Sequence, residues 1–181
     1  MTRRLSMLLL VALLGGCGVP LDDAPRDVSA VPPPRAGAPA PADAGPVVER
    51  ICLVRDGRLV RTARRIPFAR TARQHLADLL AGPTAAESAD GLISALTTAE
   101  GITLDLQAGR AVVEVGSLVG QGSRSDQVLA LGQIVCTLGS RLDVGTVAFT
   151  SRGQPLDVPR ADGSLASGPV TIADYSTLIE A

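Results

Sequence analysis

Three cysteines, one histidine and a run of arginines are the groups in this 181-residue chain whose chemistry or charge sets them apart. Cys17 closes the stretch Leu14-Gly15-Gly16-Cys17, at the end of an unbroken apolar run from Met7 to Leu14 that follows Arg3 and Arg4. The run is shorter than the roughly 20 residues of a bilayer span and has the length of a signal-peptide h-region. Small residues leading into a cysteine in that setting have the form of a bacterial lipobox. Cleavage would leave Cys17 at the new N-terminus, its thiol carrying a diacylglycerol. One acyl chain, at about 0.8 kcal/mol per buried CH₂, binds a bilayer marginally, and two or three hold firmly. The competing reading is an ordinary secretory signal with Cys17 incidental, but no A-x-A cleavage site directly follows the apolar run.

With Cys17 assigned to lipid, Cys52 and Cys136 form an even pair. Outside the cytoplasm they are either a disulfide between a strand and a helix or two buried thiols acting as small hydrophobes. No C-x-x-C spacing points to redox exchange. His75 is alone: no G-x-S-x-G accompanies it, and a zinc site would want more His or Cys than the chain offers. It is expected on the surface or half-buried at the margin of a helix. Gly120-Gln121-Gly122 lacks the Gly-Lys-Ser/Thr of a phosphate loop. No catalytic residue, metal site or cofactor is therefore expected beyond the acyl group on Cys17, and a wall hydrolase is the least supported reading.

Charge is distributed unevenly. Eight arginines and one acid fall between Arg50 and Arg73, net +7, whereas five arginines and 12 acids follow from Gln74 onward. Arg55, Arg58, Arg61, Arg64 and Arg65 thus make either a basic binding patch for an acidic partner, anionic lipid or wall polymer, or a guard on an edge strand. The overall charge of −1 and the three aromatics, Phe68, Phe149 and Tyr175, argue against nucleic acid and against stacked sugars. All 17 basic residues are arginine, which reflects codon usage.

The elements that position these groups begin after a spacer. Residues 17–46 hold eight of the 13 prolines and seven alanines with no apolar periodicity, which favours an extended tether reaching at most about 90 Å. Residues 1–16 read as the leader and 47–181 as the folded part. Val48 to Val60 reads as a hairpin turned at Asp56-Gly57. Arg70 to Ala81 reads as a helix with Ala72, Leu76, Leu79 and Leu80 on one stripe, ended by Gly82-Pro83. Thr84 and Glu87 form a capping box for a short second helix. Ile102 to Leu106 alternates as a strand, turns at Ala108-Gly109 and returns through Val115. Ser125 to Leu138 is the strongest helix, with Val128, Leu131, Val135 and Leu138 as its buried stripe. Val147 and Phe149 open another strand, Arg152-Gly153 turns it, and Leu156 with Val158 is the expected return. The sum is an α+β fold: a mixed or antiparallel sheet with two main helices on one face.

Leu79-Leu80-Ala81-Gly82-Pro83-Thr84-Ala85-Ala86-Glu87, followed by Gly91-Leu92-Ile93-Ser94-Ala95-Leu96, resembles a GerMN domain, a family associated with sporulation and spore germination. Cys52-Leu53-Val54, Ala111 to Val115, Gln133-Ile134-Val135-Cys136-Thr137-Leu138 and Val147 to Phe149 follow in the family's order, over about residues 48–160. The resemblance implies a module similar to the ring-building modules of secretion-type assemblies and a non-catalytic interaction role. The resulting expectation is a lipoprotein on the extracytoplasmic face of the cell membrane, held by its lipid anchor and meeting envelope proteins. The rival is a small-ligand or wall-polymer binding module.

Overall fold

The computed structural model describes residues 45–96, 101–116 and 122–180. Cys17, the leader and the spacer up to residue 44 lie outside the described residues.

Strands β1 (Val47–Arg55) and β2 (Arg58–Ile66) form an antiparallel hairpin in which Ile51 faces Thr62 and Cys52 faces Arg61. The turn demands left-handed backbone at both central positions, and Asp56 (φ 50°) and Gly57 (φ 71°) supply it. Helix α1 (Ala72–Leu80) starts at a capping box: Thr71 Oγ1 accepts from the Gln74 amide, and the Gln74 side chain accepts from the Thr71 amide. Helix α2 (Ala85–Ala89) is capped in the same way by Thr84 and Glu87.

A four-stranded sheet follows, ordered β3 (Thr103–Gln107), β4 (Arg110–Glu114), β5 (Thr146–Ser151), β6 (Gln154–Pro155). β3–β4 and β5–β6 are antiparallel, whereas β4 and β5 run parallel because helix α3 (Arg124–Leu138) carries the chain between them. One face of this sheet, with Leu104, Ala111, Val113, Val147 and Phe149, is buried against the core shared with α1 and α3. A small pair, β7 (Val158–Pro159) and β8 (Leu165–Ala166), and a 3₁₀ segment, Ile172–Leu178, complete the described fold.

The α+β class and the mixed sheet agree with expectation, and three details differ. The strands divide into separate sheets, and on the edge of β1 side chains of α3 and the Ile93 backbone stand where a further strand would pair. The return after Arg152-Gly153 lasts only two residues: one further bond, from the Leu156 amide to the Phe149 carbonyl at 3.0 Å, follows it, and Val158 pairs instead with Ala166. Helix α3 is not buried on a stripe alone. From Ala130 to Leu138 every residue is buried, because hairpin, α1 and the 3₁₀ segment surround it.

Candidate functional site

The edge of β1 shows how the hairpin is held. Cys52 N–H donates to Thr137 Oγ1 at 2.9 Å, and its carbonyl accepts from Gln133 Nε2 at 3.0 Å. Val54 exchanges two 2.8 Å backbone hydrogen bonds with Ile93, and the Arg50 carbonyl accepts from Ser140 Oγ. Gln133 also accepts from the Ala95 amide at 2.7 Å. Thus one strand edge is satisfied by side chains from α3 and by the loop after α2, and buried polar atoms there are paired. Cys52 and Cys136 are joined in a disulfide, with Cα atoms 5.9 Å apart and a sequence separation of 84. It lies beside Val54, Leu59 and Ile179 in a small apolar cluster of its own.

The five arginines of the expected patch take different places. Arg55 pairs with Glu180 at 3.0 Å, and Arg58 donates to the Thr177 carbonyl at 3.3 Å. Arg64 leaves the surface altogether. It is 8% exposed and reaches under the hairpin, with Nε 2.9 Å and Nη2 2.6 Å from the two oxygens of Glu87, and Nη2 2.9 Å from the Gly82 carbonyl. Burial opposes ionisation of Glu87, but the Arg64 guanidinium and the Thr84 amide outweigh it and hold the carboxyl below its ordinary range. The Gly82-to-Leu96 stretch is therefore structural, capping α2, neutralising Arg64 and closing the edge of β1 through Ile93. Arg61 and Arg65 remain exposed on β2, with Arg50 beside them on β1. None of the three has an ion-pair partner among the described residues.

On the hairpin's opposite face lies a cluster that sequence reasoning missed. Glu49 and His75 are both buried, with His75 Nε2 3.8 Å from Glu49 Oε1. This corrects the expected surface or half-buried histidine: α1 turns it under the hairpin, where Nε2 donates to the Arg50 carbonyl at 2.9 Å. A carbonyl can only accept, so the proton sits on Nε2 and Nδ1 is a bare acceptor. Burial, with the nearby Asp78 carboxylate, raises Glu49 to about 7, and burial lowers His75. A cavity of about 380 Å³ opens here, lined in part by Arg70, Arg141 and Leu142. The arrangement can hold or release a proton; among the described residues no hydroxyl or thiol hydrogen-bonds to His75, and the Ser140 hydroxyl, which lines the same cavity, donates to the Arg50 and Thr137 carbonyls instead. Among the described residues, no group of three or more His, Cys, Asp or Glu could hold a metal ion.

Part of this was readable. Gln133 and Thr137 are four apart in the otherwise apolar second half of α3, which marks two polar groups on one buried face. Glu49, one of four residues between Val47 and Arg50 that alternate in burial, gave no such signal.

The family model described as "Sporulation and spore germination" matches residues 41–157. Among solved structures, the tandem GerMN domains of the sporulation protein GerM from Bacillus subtilis align with a TM-score of 0.56 at 18% identity, covering 71% of this chain and 47% of that one. The first GerMN domain of the same protein aligns with a TM-score of 0.52 at 18% identity, covering 70% of this chain and 95% of that one. The chain thus spans about half the length of the tandem structure and nearly all of one domain. No curated protein matches the sequence.

Proposed function

The chain belongs to the sporulation and spore germination family, in which GerMN domains fall, and on that premise we propose that it works by contact alone, as a tethered protein-interaction module outside the cytoplasm. Its carrying observation is the outer face of the hairpin. Three arginines, Arg50, Arg61 and Arg65, stand there without a counter-ion among the described residues, while the same domain neutralises Arg55 and Arg64 internally. Such a field steers an acidic protein surface onto one place.

In this reading Cys17 carries the lipid, residues 17–46 form the spacer, and the module from residue 47 meets envelope proteins. Support for the compartment comes from the Gly15-Gly16-Cys17 ending of the apolar run and from the Cys52–Cys136 bond, which belongs to an oxidising environment. The anchor is tested by feeding cells a radioactive fatty acid: the native chain should be labelled and Cys17→Ala should not, and two unlabelled proteins would end the anchored reading. The contact is tested with a photo-crosslinking residue at position 61 in the full-length protein in cells. Protein adducts that disappear on reversing the charge of Arg50 and Arg65 are expected; adducts confined to lipid or glycan would overturn it.

A further inference from the structure

The hydrogen-bond register of the hairpin leaves one open strand edge. In an antiparallel pair, residues directly opposite either exchange both backbone hydrogen bonds or point both groups away from each other. Arg50, Cys52 and Val54 all direct backbone groups outward from β1, to Ser140 and His75, to Thr137 and Gln133, and to Ile93. Their partners are Ala63, Arg61 and Leu59, so these residues, and Arg65 two further on, point their amides and carbonyls out of the other side of the hairpin. Leu59 is taken, its carbonyl accepting from the Glu180 amide at 2.8 Å. At Arg61, Ala63 and Arg65 no backbone partner exists among the described residues. The result is an unpaired edge of roughly 14 Å at about 3.4 Å per residue.

The side chains on that edge select what can join it. Arg61 and Arg65 stand on the exposed face on either side of the small Ala63. A second copy pairing antiparallel about Ala63 would set Arg61 opposite Arg65 and Arg65 opposite Arg61, and like charges directly opposite are destabilising. The arginines therefore act as the guard that keeps this edge from pairing with itself, and the same guard favours a strand that carries carboxylates at alternate positions. Resting on the contact reading above, we infer that β2 receives an extended acidic segment of a partner protein as an added β-strand, with backbone hydrogen bonds to Arg61, Ala63 and Arg65 and carboxylates against the two guanidinium groups.

The probe is a seven-residue capped peptide with Glu at alternate positions and Val between them, titrated into the full chain by fluorescence anisotropy at low and high salt. Binding that weakens with salt is expected, together with slower hydrogen exchange at the Ala63 amide. N-methylation removes amide donors without touching charge. Methyl groups on one alternate set of residues should weaken binding at least about tenfold, the scale of one or two lost hydrogen bonds, while the other set leaves it within about threefold. On the protein, Ala63→Pro removes an outward-facing donor that an edge strand can spare, and it should abolish binding with Arg61 and Arg65 intact. Equal binding by both N-methylated sets would overturn strand addition, as would binding to phosphatidylglycerol vesicles with no peptide affinity. If position 61 still crosslinks to proteins in cells while Ala63→Pro changes nothing, strand addition fails and the contact reading stands.

Discussion

Glu49 is a carboxyl that the fold keeps protonated across the mildly acidic range and releases only around neutral pH, and its consequence is a stability that depends on pH in an unusual direction. An ordinary glutamate ionises near 4.5; burial and the neighbouring Asp78 carboxylate raise this one to about 7, against the opposing pull of Arg70 and Arg64. Between those values the folded protein holds a proton that the unfolded chain has released. The contribution of Glu49 is therefore fully present below pH 4.5 and is lost as the pH rises through 7. A displacement of that size corresponds to at most about 3 kcal/mol. His75 acts oppositely: burial lowers it from 6.5, so its share is present above 6.5 and lost as the pH falls. Arg141 and Asp143 also face His75 from the loop after α3, with Asp78 on its own helix. Glu49→Gln removes only the carboxyl's part. In urea unfolding, the variant should gain on the native chain steadily between pH 5 and 8, and a constant offset between the two would show that Glu49 does not titrate in this range.

At the scale of elements, the disulfide and the polar side chains of α3 hold the hairpin to the helix independently. In the loop-entropy account a closure of 84 residues stabilises by about 4–5 kcal/mol. Reducing the bond, or replacing both Cys52 and Cys136 by Ala, should lower the urea midpoint accordingly. The Thr137 and Gln133 hydrogen bonds should keep Cys52 and Ala95 amides protected from exchange in the reduced state, and fast exchange at both would show that the covalent bond alone holds the edge. The sequence made the elements themselves legible. The Asp56-Gly57 turn, the Thr84–Glu87 capping box and the gap at Gly82-Pro83 are local signals whose physics is confined to four or five residues. What joins the elements was not legible, because it depends on groups far apart in sequence. Cys52 leaves open whether it meets Cys136 until α3 is laid along β1. Arg64 reads as one more arginine of a basic run until Glu87, 23 residues on, is seen beneath it.

For the molecule as a whole, the part least apparent from sequence proves structurally central. The family match ends at residue 157, yet Val158, Ala166, Val170 and Tyr175 are all buried. Tyr175 has no exposed surface, and its hydroxyl donates to the Pro159 carbonyl at 2.8 Å. Its ring closes on α3 at Gly132, where a side chain has no room: a Cβ there would stand 2.9 Å from Tyr175 Cδ1 and 3.0 Å from Leu59 Cδ1. Leu59 is tied in turn to Ile179 and Glu180. Hairpin, helix and C-terminal segment thus converge on a single contact made by a missing methyl group. Gly132→Ala should cost about 1–3 kcal/mol through overpacking, although alanine is the better helix former, and Tyr175→Ala about 3–5 kcal/mol through the void it leaves. The two must not add. With the ring gone, the new methyl has space, so the double variant should be more stable than the sum of the single losses by more than the 0.3–0.5 kcal/mol or so within which independent sites agree. An additive result in chemical unfolding would mean that the C-terminal segment does not pack on α3, and that the fold closes without it.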